Sequence, residues 1–349
     1  MTLIGFTEKR GNAWHYKREE QGDESNHYVG AIPIEDVRRR LFSWDAYEGT
    51  VETAAITPDG VLTYVDPDKK HIVRPPGALS PDDLGGIVGH VGGQAGMPQG
   101  WKLHQYREWL LDTVGHILDD DLSIGSAGLL KQGKLAWVSV EVPDNITTPS
   151  GVVFRPLLLA ATALDGSLST TYKRVVTNVV CDNTMAAGLG EKGQQIKIRH
   201  TRNSSARLMQ VRDALELVHT IGDDFTAKVE KLTNTAVSAG DWAKFLDELV
   251  PLTDKQGQQV EGRSLALRQG KRDKITGLYD DDPRVAPWKG TAWGVVQAVN
   301  TFTHHIQGVS NKSGPEIAQR NMLKTVEGGT DKLDRDTLST LTKVLEPAA

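Results

Sequence analysis

The segment KIRHTRNSSARL, Lys197 to Leu208, places Lys197, Arg199, His200 and Arg202 within six residues, and Arg207 follows. Cations at this spacing, interleaved with Asn203, Ser204 and Ser205, suit the binding of phosphates. From Lys173 to Arg212 eight Lys/Arg stand against two acids, Asp182 and Glu191. The chain as a whole carries a formal charge of -5, so the basic window is local. In IKIRH the strand period of two puts Lys197 and Arg199 on one face and Ile196 and Ile198 on the other. His200 alternates away from the cations and reads as a buried hydrogen-bonding residue. Lys173 and Arg174 belong to a preceding strand. The expected phosphate contacts are Lys173, Arg174, Lys197, Arg199, Arg202 and Arg207, with Asn183, Thr184 and Asn203 fixing helix starts or adding contacts.

Other chemistry finds less support. His304 and His305 are adjacent, so a helix cannot aim both at one ion, and no zinc-type spacing occurs. No metal or other cofactor is expected. Cys181, His200 and Asn183 are residue types of a thiol enzyme, but nothing nearby marks a lowered thiol pKa. The runs Asp119–Asp121 and Asp280–Asp282 leave open a nuclease-type metal site, yet both read as solvated turns. The stretch GGIVGHVGGQAGMPQG reads as a loop, and its glycines are not followed by the GK[ST] of a phosphate loop. No motif establishes an enzyme.

The elements that must position these residues are legible in part. Pro33, Glu35 and Asp36 open a short helix carrying Val37 and Leu41. Thr57–Gly60, TPDG, is the turn of a hairpin. Leu103, Tyr106, Leu110, Val114 and Ile117 have helical spacing. From Ser126 to Val180 the turns Gln132-Gly133 and Asp165–Ser167 punctuate an antiparallel meander rich in β-branched residues, with Pro156 suited to an edge or bulge. CDNTMAAGL predicts a short helix capped by Asp182 or Asn183. A strand at QQIKIRH follows, then a long helix from Ser204 whose seam (Leu208, Val211, Leu215, Val218, Phe225, Val229, Leu232) marks a core or oligomer face. AGDWAKFLDELVP and TAWGVVQAVNTFTHHI are further helices, and a weak one spans Asp334–Leu345. A second basic cluster, RSLALRQGKRDK, covers Arg263–Lys274. The fold class is therefore α+β: an antiparallel meander with a β-β-β-α core, packed by helices, with a long central helix and a helical C-terminal region. The expected division is 1–234 as the α+β core and 235–349 as a helical region with a flexible tail.

Bulk properties narrow the setting. The 349 residues are 38% hydrophobic and 24% charged, as in globular proteins. One cysteine fits a reducing, cytoplasmic compartment. No apolar run approaches the ~18 residues of a membrane span, and the first residues lack a signal-peptide core.

At RVVTNVVCDNT, Arg174–Thr184, and IRHTRN, Ile198–Asn203, the chain resembles the phage/plasmid-like proteins of mycobacteriophages, prophages and actinobacterial plasmids, a family of unknown function. That family carries R-V-V-C-x-N-T and then I-R-H-T-x-N. Ala13–His15, the IPIEDV helix and Thr291–His305 fit it too. The departures are a glycine-rich insertion near Gly85–Gly100 and HQYREW, His104–Trp109, where the family has Y-R-P-V-Q. More remotely, a β-β-β-α unit before a basic strand and long helix is similar to the core of RecT/Redβ and Rad-type single-strand annealing proteins, a fold analogy. That resemblance implies an ATP-independent, ring-forming or filamentous homo-oligomer of a bacterial host's cytoplasm. It would bind and anneal single-stranded DNA in recombination or replication, with a host or phage single-strand binding protein as a further partner. The competing readings are a nuclease or thiol enzyme, and an interaction protein whose basic cluster pairs internally.

Overall fold

The computed structural model describes residues 2–6, 26–28, 30–93, 96–116, 118, 122–141, 145–178, 183–186, 195–204, 221–308 and 314–346. Its centre is the expected meander. Strands β1 (Thr2–Phe6) and β2 (His27–Tyr28) pair in parallel, and α1 (Ile34–Arg40) follows. A separate three-stranded sheet holds β3 (Tyr47–Thr57), β4 (Gly60–Arg74) and β5 (Gly86–Val91). A π-helical segment, Arg107–Asp112, runs into α2 (Thr113–Gly115). Then come β6 (Ser123–Leu130), β7 (Leu135–Glu141), β8 (Ile146–Thr147), β9 (Val153–Ala163), β10 (Thr170–Asn178), β11 (Asn183–Ala186) and β12 (Gln195–Ile198). The main sheet runs β11-β10-β9-β7-β6-β1-β2, with β12 also on β10 and β8 on β9. Every pairing except β1–β2 is antiparallel.

Local chemistry explains the turns. Lys131, Gln132 and Gly133 all have positive φ, which closes the β6–β7 hairpin, and Gly133 is the residue that takes this conformation at no steric cost. Asp165 Oδ1 accepts from the Ser167 amide at 2.9 Å and so shapes the β9–β10 turn. Pro156 sits within β9, a central strand. It lies in the interval between the β7 ladder, which ends at Leu157, and the β8 ladder, which begins at Phe154. The missing N–H therefore falls where that side of the ladder is interrupted.

The helices cover both faces of the sheet. They are α3 (Ile221–Thr233), α4 (Ala239–Leu249), α5 (Gly262–Asp281), α6 (Ala292–Thr301), which runs into a π-helical turn at Phe302–Ile306, α7 (Gly314–Glu327) and α8 (Gly329–Leu345). One buried cluster takes Leu158, Ala160, Tyr172 and Val176 from the sheet, with Leu110, Phe225, Val229, Trp293 and Val296 from the helices. Phe225 tilts against Phe154 at 4.7 Å, so the described part of the seam helix packs into the core. The opposite face buries Trp137, Leu157, Leu159, Ala161 and Val175 with Val326 of α7.

Three expectations need correction. The helix expected from Asn183 is strand β11, paired antiparallel with Asn178 to Val175; a free edge of β10 outweighed the capping signal. The glycine-rich loop contains β5. The polar C-terminus holds two helices, α7 and α8, rather than one weak one. The expected start of the long helix at residues 205–220, including Arg207, lies outside the described residues.

Candidate nucleic-acid interface

β12 and β11 lie end to end along the outer edge of β10. Thr171 faces Lys197 and Thr170 faces Ile198. Ile198 is 1% exposed, whereas Lys197 and Arg199 are exposed, as are Arg202 and Asn203 in the turn that follows. The turn is tight: the Thr201 amide donates to Arg199 O at 2.8 Å and the Ser204 amide to Thr201 O at 3.0 Å. Among the described residues Lys197, Arg199 and Arg202 have no ion-pair partner.

Beneath this edge lies a feature that sequence reasoning reached only at His200. The rings of Trp101, His200, His104 and Trp109 stack in that order. Their centroids are 4.8, 3.8 and 3.6 Å apart, and the planes lie within 20° of each other. A chain of hydrogen bonds runs alongside. His200 Nδ1 lies 2.8 Å from Lys102 O, and a carbonyl only accepts, so Nδ1 carries the proton. Its Nε2 then accepts from Thr162 Oγ1 at 3.2 Å. Thr162 accepts from Thr170 at 2.8 Å, and Thr170 from His104 Nδ1 at 2.7 Å. His104 Nε2 accepts from Ser204 Oγ at 2.9 Å. Every hydroxyl donates once, and both imidazoles are neutral. Burial, with His200 alongside, pushes His104 down to about 3, and burial also lowers His200. The Lys102 amide closes the clasp on His200 O at 3.1 Å. The basic turn is thereby fixed to the segment Trp101–His104. The spacing of Trp101, His104 and Trp109 was the available signal, but only the fold brings them to Ile198–Ser204.

The other expected residues are placed differently. Lys173 is 4% exposed. Its ammonium pairs with Asp331 and donates to Thr325 O at 3.0 Å. Burial lowers its pKa and Asp331 opposes that shift. Lys173 is thus a buried tie to α7 and α8, a correction to its place in an exposed track. Arg174 faces the other side of β10 and lies 3.4 Å from Asp224 Oδ2 on α3. Asn183 and Thr184 stand on β11 opposite Asn178 and Thr177, not at a helix start.

The residues weighed for other chemistry are dispersed. His304 and His305 are both buried, and burial together with His305 pushes His304 down to about 3. Asp280 pairs with Lys289 at 2.8 Å and Asp282 with Arg284 at 2.5 Å. His71 and His90 face each other across β4 and β5, Nδ1 to Nδ1 at 2.9 Å. Among the described residues no three His, Cys, Asp or Glu cluster as metal ligands would, and no helix is long and apolar enough to cross a membrane. Cys181 and Asp119–Asp121 lie outside the described residues.

Fold and site define an α+β protein with a rigid, basic strand edge. The chain belongs to the DUF932 family, a domain of unknown function, whose model matches residues 97–327. The match begins just before the ring stack and ends within α7. No curated protein and no solved structure matches the chain.

Proposed function

We propose that the chain is a phage-type single-stranded DNA binding and annealing protein. It works without ATP as a homo-oligomer in the cytoplasm of a bacterial host, in recombination or replication. The observation that carries this reading is the edge of β12: Lys197, Arg199 and Arg202 are exposed and unpaired among the described residues, on a turn held rigid by the ring stack. Rigid cations recognise phosphates without reading bases, which leaves the bases of a bound strand free to pair. Among the described residues the exposed large aromatics are Tyr47 and Tyr64, both on the hairpin β3–β4 of the other sheet, which fits backbone contact at the edge of β12. The analogy with annealing proteins by element order loses weight, because β11 stands where its helix was expected. The reading rests on surface chemistry first.

Labelled single strands and their complements, mixed with the protein with and without Mg²⁺, test it. Salt-sensitive retention and faster duplex formation are expected. Each of Lys197→Ala, Arg199→Ala and Arg202→Ala should reduce the slope of log K against log salt by about 0.7. No retention at low salt overturns the proposal, and shortened strands would favour a nuclease.

A further inference from the structure

The hairpin β3–β4 reaches well past its sheet. β5 pairs only with Lys70–Arg74, so among the described strands the hairpin from Val51–Asp66 to Thr57–Gly60 is a two-stranded ribbon, about 20 Å long. Such ribbons are marginal in water. This one exposes Ile56 at 92%, Val61 at 68% and Leu62 at 64%. Among the described strands β3 is an edge, and it carries no Lys, Arg or Pro to discourage pairing or docking. Residues 51–68 contain four carboxylates and no cation. Asp66 pairs with Lys69, and Asp68 accepts from Gln99. Glu52 and Asp59 have no partner among the described residues. They flank Ile56, with Glu52 on the same ribbon face.

The complement is on the same chain. Arg263–Lys274 on α5 holds five cations against one carboxylate. Three are engaged inward: Arg268 with Pro251 O and Thr253 O, Arg272 with Val250 O and Asp247, and Lys271 over the Phe302 ring. Arg263 and Lys274 are exposed and have no ion-pair partner among the described residues. They share a helix face with Leu267, which is 65% exposed. Leu267 lies about 6 Å along the axis from Arg263 and about 10 Å from Lys274. On the ribbon, Ile56 lies about 13 Å from Glu52, and Asp59 is in the turn just beyond it. The two patterns, cation–apolar–cation and anion–apolar–anion, match in order and in approximate spacing. Within one chain neither covers the other, since both Ile56 and Leu267 are exposed.

The geometry points to a head-to-tail contact in which the β3–β4 arm of one copy docks on α5 of a second copy. Asp59 meets Arg263, Ile56 meets Leu267, and Glu52 meets Lys274. The arm's carboxylates disfavour an anionic membrane or a nucleic acid as its partner. Because the two patches differ, the contact is heterologous and builds a ring or a filament. It deepens the homo-oligomer half of the functional proposal, rests on that half only, and is tested without DNA.

Light scattering on the full chain gives the assembly mass at low and high salt. The wild type should exceed the 38.1 kDa of one chain and fall towards it as salt rises. Arg263→Glu with Lys274→Glu should weaken assembly at least tenfold, and so should Glu52→Lys with Asp59→Lys. The four substitutions together should restore it, which excludes simple misfolding. A wild type of 38.1 kDa at every concentration overturns the inference, and so does an assembly indifferent to the α5 reversal, as in arm-to-arm pairing. Failure of the fourfold variant to reassemble does the same. Strand retention by the dispersed variants, measured separately, keeps the DNA proposal distinguishable.

Discussion

At the scale of single residues, the strongest constraint is that burial holds His104 neutral and also lowers the pKa of His200 beside it. His104 has one ring nitrogen donating to Thr170 and the other accepting from Ser204, so a second proton there has no acceptor to meet. An unfolded histidine titrates near 6.5, whereas His104 in the fold is held at about 3. Between those values the unfolded chain binds a proton that the folded chain refuses, so stability is complete above pH ~6.5 and declines as pH falls. For His104 the decline approaches ~1.4 kcal/mol per pH unit, and His304, also held at about 3, adds its own. Urea unfolding of wild type and His104→Gln between pH 6 and 4.5 measures this. The variant should be less stable at pH 7 and have a shallower pH slope. An unchanged slope would mean that folded His104 accepts a proton. A Ser204→Ala change removes one donor from the chain and should cost about 1 kcal/mol in the same assay.

At the scale of elements, the β6–β7 ladder shifts register between Ile124 and Ser126, and the bulge at Gly125 makes room for a carboxylate. A Cβ on Gly125 would fall 1.0 Å from Glu141 Oε1. Glu141 is fully buried and pairs with Arg155 at 3.2 Å, while Arg155 also donates to Asn145 Oδ1 at 2.9 and 2.6 Å. Gly125→Ala must displace one charge of a buried pair and should destabilise the fold by about 3 kcal/mol or more, seen as a lower denaturation midpoint with an unchanged denaturant slope. Elements of this kind also show what could be read from sequence. The turns at Thr57–Gly60, Gln132-Gly133 and Asp165–Ser167 were legible because their chemistry is local. The helix TAWGVVQAVNTFTHHI was legible too, and in α6 Thr291 caps it by accepting from the Gly294 amide at 3.2 Å. β11 was not, because pairing with β10 is a tertiary fact. α5 was missed because Gly270 and Gly277 interrupt it, and its buried residues, Ile275, Leu278 and Tyr279, crowd into its last turns. At the site, the alternation of Lys197 and Arg199 with Ile198 could be read, while the stack that holds the turn joins residues about a hundred positions apart.

At the scale of the whole molecule, a local count of charge misjudges which cations face solvent. Lys173 and Lys197 looked equivalent in sequence, and both project from the same side of neighbouring strands, since Lys197 faces Thr171 and Thr171 is two residues from Lys173. What separates them is Asp331, 158 positions from Lys173, which α8 brings over one and not over the other. Asp334, also on α8, is 1% exposed and adds to the negative field at Lys173. The two lysines should therefore dissociate in experiment. Lys173→Ala leaves the largely buried carboxylate of Asp331 without its partner and should cost about 3 kcal/mol in urea unfolding, with no change in the salt slope of strand binding by the protein that remains folded. Lys197→Ala should leave the unfolding free energy within ~0.5 kcal/mol of wild type and reduce that slope by about 0.7. Lys173→Met combined with Asp331→Leu should recover most of the loss, because an apolar pair of similar volume removes both buried charges. If Lys173→Ala proved neutral to stability yet lowered the salt slope, the α8 contact would open when a strand binds, and the basic track would extend along β10 as its sequence first suggested.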